Sequence, residues 1–144
     1  MKTFILIAAL LVSACATTGS SQLPGRPPEG KSRIVIYWPA GSPGRLSCPT
    51  QKVDDLEAMK LPFGGYSFVD VPPGKHLIYA IKSWCFDLSS EVQVETMANQ
   101  IVYVRHSYLK TKFPGAQWSQ NGLHGFWIGL LPVAEAVAKK ELQQ

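Results

Sequence analysis

Tyr66–Phe86, YSFVDVPPGKHLIYAIKSWCF, is the stretch whose reading decides the fold class. Its first part alternates. Tyr66, Phe68 and Asp70 fall on one face of an extended chain, and Ser67, Val69 and Val71 on the other. Pro72-Pro73-Gly74-Lys75 then interrupts, with proline presetting φ and glycine open to φ > 0, so a tight turn is expected. His76–Phe86 follows as a second strand, rich in β-branched and aromatic residues. Strands at this spacing, with short turns between them, indicate an antiparallel sandwich or barrel rather than alternating βα units.

Moving outward, the same grammar recurs. Arg33–Trp38 (RIVIYW), bounded by Pro39, reads as a strand buried on both faces. Pro39–Pro49 is a Gly/Pro loop. Gln51–Leu61 is either a hairpin turned at Asp54-Asp55 or a short helix, and Gly64-Gly65 is a turn. Glu91–Met97 sets Val92, Val94 and Thr96 opposite Gln93, Glu95 and Met97. Ala98-Asn99-Gln100 is a short connection to a strand at Ile101–Leu109, and Gly125–Leu131 is a further core strand. Pro132–Leu142 reads as a helix with Pro132 in its first turn, Glu135 early and Lys139 and Lys140 late. Glu135 and Lys139 are spaced as an i,i+4 pair, and the helix is expected to pack against the sheet edge. The expectation is an all-β chain: an antiparallel β-sandwich with a short C-terminal helix.

The N-terminus carries a different message. Met1–Cys15 reads MKTFILIAALLVSAC: one lysine, an apolar run over Phe4–Val12, then small Ser13 and Ala14 before Cys15. The run is too short to span a bilayer and fits a cleaved signal peptide. Val12-Ser13-Ala14-Cys15 resembles the lipobox of bacterial lipoproteins. That resemblance implies cleavage before Cys15 and lipid on its thiol and new amine, an anchor that two or three acyl chains make lasting. Ala16, in place of Asp, implies the outer membrane in a Gram-negative host. The expected organisation is a signal peptide over residues 1–14, a flexible Ser/Thr/Gly/Pro-rich tether over 15–31 and a β-sandwich domain with its helix over 32–144. The mature charge is +3, with 13 basic and 10 acidic residues once Lys2 is removed. That balance is mild and dispersed, which argues against a nucleic-acid partner.

The stretch from Ile34 to about Tyr103 also resembles an uncharacterised bacterial lipoprotein family, domain of unknown function 2846. The matching residues are Ile36-Tyr37-Trp38, Val53-Asp54-Asp55, Gly65-Tyr66 and Val71-Pro72-Pro73-Gly74-Lys75-His76. One departure is Asp55, where a glycine would suit the tight turn. The resemblance covers about half the chain and implies a sandwich and an envelope location, with no known activity.

With Cys15 assigned to lipid, Cys48 and Cys85 remain as a possible disulfide or as two free thiols. No nucleophile elbow, phosphate loop or His-Glu-x-x-His occurs, and Gly41-Ser42-Pro43-Gly44 reads as a plain loop. His76, His106 and His124 are isolated, without metal-ligand spacing, so neither a metal nor a cofactor is expected. Asp54, Asp55, Asp70 and Asp87 read as turn or strand-end residues rather than paired acids. Lys112–Leu131 is rich in aromatics and glycine. Phe113 and Trp118 stand out there as a possible aromatic binding loop, while Phe126–Leu131 fits the core. The functional expectation is a non-enzymatic lipoprotein of the cell envelope, held to the membrane through Cys15. It would bind an envelope component, such as a protein partner, or serve structurally. The alternative is a hydrolase of unfamiliar type acting on envelope polymer.

Overall fold

The computed structural model describes residues 23–42, 50–56, 59–81, 90–109, 118–121 and 126–144. Within them the order is β1 (Ser32–Tyr37), β2 (Thr50–Val53), β3 (Met59–Lys60), β4 (Tyr66–Val71), β5 (Gly74–Ile81), β6 (Ser90–Thr96), β7 (Ile101–Leu109), β8 (Trp118–Asn121), β9 (Phe126–Val133) and α1 (Glu135–Leu142). The strands form two sheets, ordered β4-β1-β7-β9-β8 and β3-β2-β5-β6. They face each other across one core: Ile34, Ile36, Trp38, Val71, Val104 and Leu130 from the first side meet Val53, Ile78 and Val94 from the second. The fold is all-β and sandwich-like, as the alternation implies.

β1 shows why. Every one of its residues is buried. Ser32, Ile34 and Ile36 point into the sandwich, whereas Arg33, Val35 and Tyr37 point to the outer face of the first sheet. That outer face is not solvated. Val35, Tyr37, Tyr66 and Tyr103 form a second apolar cluster with Ala138 of α1. The helix thus lies over the face of the sheet, not against its edge as expected. Tyr37 fixes it there by donating from its hydroxyl to Glu141 Oε2 at 2.6 Å, and Arg105 Nη2 reaches Glu141 Oε1 at 3.3 Å.

Two further expectations change. β1 and β7 run parallel, Arg33 opposite Ile101 through Tyr37 opposite Arg105, inside a sandwich otherwise built of antiparallel pairs. Pro132 belongs to β9, opposite Val104, and the helix starts at Glu135. Among the described residues, β8 pairs with β9 as far as Gly129, three residues short of Pro132. Of the two readings of Gln51–Leu61, the chain takes the hairpin: Gln51 pairs with Met59, and Asp54 turns the chain with φ of 49°. Gly65 is required by space, because a Cβ there would stand 2.9 Å from Pro62 Cγ.

Candidate functional site

The two turns singled out in the sequence meet. His76 donates from Nδ1 to Asp54 Oδ2 at 2.7 Å and from Nε2 to the Pro72 carbonyl at 2.8 Å. Asp54 Oδ1 accepts from the Leu77 amide at 2.8 Å, and the Asp54 carbonyl accepts from the Tyr79 hydroxyl at 3.2 Å. Burial pushes the Asp54 carboxyl up, but the bonds from His76 and Leu77 outweigh it and hold the group below its ordinary value. The pair has the elements of a catalytic dyad, yet Nε2, the nitrogen that would move a proton, is spent on a backbone carbonyl. The arrangement does mechanical work: it fastens the β2–β3 turn to the β4–β5 turn.

His106 lies inside the sandwich, fully buried, with its ring 5.3 Å from that of Trp38. Gln51 donates from Nε2 to His106 Nδ1 at 3.2 Å. An amide NH2 only donates, so Nδ1 is an acceptor and the ring is neutral. Burial drives its pKa down to about 3. Asp70, read as a strand residue, forms a bidentate pair with Arg33 at 2.7 and 2.8 Å, and Asp55 is exposed in its turn. Ser42 closes a turn by donating its amide to the Pro39 carbonyl at 3.0 Å.

The same Arg33 organises a feature that the sequence concealed. Its guanidinium stacks over Phe68, 4.1 Å from the ring centroid, and donates from Nη1 to the Gly25 carbonyl at 2.8 Å. Gly30 N donates to Asn99 Oδ1, and Asn99 N to the Lys31 carbonyl. Residues 23–31, assigned from composition to the tether, are therefore laid along the domain as a strap, with Pro24 buried. Between the strap, the start of β7, the end of β9 and the first turn of α1 lies a half-open groove of about 1000 Å³. Its floor includes Ile101, Tyr103 and Val133, while Arg26, Glu29, Glu135 and Lys139 bring two charges of each sign. Glu135 and Lys139 are paired at 2.6 Å. Asn99 and Gln100 also line it. Asn99 takes φ of 63°, and its Oδ1, like Gln100 Oε1, is spent on a nearby backbone amide. The signals for this groove, an Asn-Gln turn and a tyrosine on the outer face of a strand, have meaning only once the strap is placed over them.

Of the residues singled out from the sequence, Cys15, Cys48, Cys85, Phe113, Asp87 and His124 lie outside the described residues. Trp118 opens β8, the edge strand of the first sheet, opposite Gly129. Phe126–Leu131 forms most of β9, with Leu130 in the core. Among the described residues, no three His, Cys, Asp or Glu side chains gather as a metal would need, and no helix is long and apolar enough to cross a membrane. No protein-family model matches the chain, and no curated protein matches it significantly.

Proposed function

We propose that the chain is a lipoprotein of the cell envelope whose sandwich domain, held to the membrane by lipid on Cys15, binds an envelope component. The observation that carries the binding reading is the groove under the Leu23–Glu29 strap. The anchor reading rests on the order of charge, apolar run, small pair and cysteine in Met1–Cys15. The two fit together spatially. Leu23 follows Cys15 by eight residues, which span at most about 29 Å when extended. The groove would therefore open within about 30 Å of the lipid head groups, within reach of material lying on or just above the membrane.

We also place the domain beside the family of domain of unknown function 2846. Support comes from the contact between the two segments that carry the resemblance, Asp54 against His76. The Cys48–Cys85 bridge belongs to the same proposal. The described β2–β5 ladder ends at Thr50 opposite Ile81, two residues after Cys48 and four before Cys85.

The test is the intact mass of the protein extracted in mild detergent from its own host. The expected species lacks residues 1–14, carries diacylglycerol and a further acyl chain on Cys15, and is two hydrogens light. Cys15→Ser should leave the protein unlipidated and release it from the membrane fraction. A soluble, unacylated wild-type chain would overturn the anchor. A mass with both thiols reduced would overturn the bridge alone.

A further inference from the structure

We infer that the Asp54–His76 contact is a pH-sensitive latch, which ties the β2–β3 turn to the β4–β5 turn while both ring nitrogens of His76 carry protons and releases the β4–β5 turn when one proton is lost. The latch depends neither on the lipid anchor nor on the groove.

Hydrogen-bond stoichiometry carries the inference. His76 Nδ1 lies 2.7 Å from Asp54 Oδ2, and Nε2 lies 2.8 Å from the Pro72 carbonyl. A carboxylate and a carbonyl only accept, so each bond takes its proton from the ring. A neutral imidazole has one N–H and makes one of the two bonds; the imidazolium makes both. Asp54 does not supply a proton: burial pushes its carboxyl up, but the bonds from His76 and Leu77 hold it below its ordinary value. The carboxylate is the stronger acceptor, so on deprotonation Nδ1 keeps its proton and Nε2 gives its own up. The His76 side chain is only 9 % exposed, so the Nε2 lone pair would then face the Pro72 oxygen with little water between them. The surroundings add no competing charge. Among the described residues, Asp54 is the ionic partner of His76. Asp55 is exposed in its turn. Lys52, Lys75, Glu91 and Glu95 alternate with the inward Val53, His76, Val92 and Val94 and point to the other face of the second sheet. Arg33 and Asp70, the charged residues of β1 and β4, are paired with each other. Ser32 and Thr96, which reach the Pro72 carbonyl at 3.4 and 3.5 Å, are uncharged. The latch therefore holds between two limits: acid that neutralises Asp54 opens it, and so does base that takes one proton from His76. It sits beside Ser32, where the strap passes into β1.

The test is nitrogen-15 NMR of the whole protein in detergent micelles, with the histidine ring nitrogens and the amide hydrogen exchange followed from pH 5.5 to pH 9. At pH 5.5 both His76 nitrogens should carry protons. As the pH rises, Nε2 should lose its proton while Nδ1 keeps its own. Exchange of the β4–β5 turn amides, corrected for its intrinsic rise with pH, should accelerate about 10-fold in the same step, as loss of one charge-assisted hydrogen bond implies. Asp54→Asn separates a latch from a plain structural contact. Asparagine tolerates the φ of 49° and still accepts from the Leu77 amide, but its NH2 donates to Nδ1 and so pairs with a neutral ring protonated at Nε2. In this variant the ring should stay neutral at pH 5.5, and turn exchange should show no pH step. A wild-type ring that is neutral at pH 5.5 with the turn protected overturns the inference. So does a ring that deprotonates while turn exchange is unchanged, or a variant that keeps the wild-type step. The wild-type titration decides the matter even if the variant does not fold.

Discussion

Acid should unfold this domain early, and His106 should be the cause. The ring is fully buried, and the Gln51 NH2 donates to Nδ1, so the folded state holds the imidazole neutral. Burial lowers its pKa to about 3, against an ordinary value of about 6.5. The sign follows directly. Between these values the unfolded chain binds a proton that the folded chain does not. The stabilising contribution is complete above about pH 6.5 and is lost as pH falls toward 3. One pH unit in that window costs about 1.4 kcal/mol, so acidification from pH 7 to pH 4.5 should remove about 2–3 kcal/mol. Against the usual 5–15 kcal/mol for a domain, that is a large share. The assay is urea denaturation followed by circular dichroism at pH 7, 5.5 and 4.5. The comparison is the double variant Gln51→Met, His106→Leu, which removes both polar partners and leaves neither orphaned. Every other titrating group is common to the two proteins. The wild type should lose about 2–3 kcal/mol more than the variant over this range. Equal slopes would refute the argument that His106 titrates only on unfolding.

Two other perturbations follow from the same contacts. Asp54→Ala leaves the His76 Nδ1 proton and the Leu77 amide without an acceptor and sets alanine at φ of 49°, so it should cost about 2–3 kcal/mol in urea melts. Because the Asp54 carboxyl is held below its ordinary value, wild-type stability should also fall as pH drops through that lower value, and the variant should lack this step. Arg33→Lys keeps the charge but loses the fork to Asp70 and the stack on Phe68. The strap over residues 23–31 should then be cut by protease several-fold faster in limited digestion, with the melting temperature moved by only a few degrees.

The sequence made some elements legible and hid others for physical reasons. Tyr66–Val71 and Ile101–Leu109 are strands over the full spans expected, since both combine period-two alternation with flanking turns. Proline suits a first helical turn, yet Pro132 sits in β9 opposite Val104, a pairing with a strand distant in sequence that leaves no local mark. The parallel β1–β7 pair has no local signature at all, since strand direction is set by where the intervening chain travels. The Asp54–His76 contact was half visible: both turns were identified, but not that they touch. The groove was hidden most completely. Its strap is low in apolar residues and reads as tether by composition, whereas the reach of Arg33 to Gly25 and the bonds of Asn99 to Gly30 and Lys31 lay it on the domain.

That reach also determines how force would enter the molecule. A pull applied on the N-terminal side reaches the sheet at residue 32, the first residue of β1. β1 is not a peripheral strand that peels away one bond at a time. It lies between β4 and β7, and load along it is shared by the ladders on both sides in shear. Ahead of it, the Arg33–Gly25 tie would give way first and release the strap before the sheet is strained. The strap therefore acts as a slack element in series with a stiff one. A pull on the N-terminal side would open the groove before it threatened the fold.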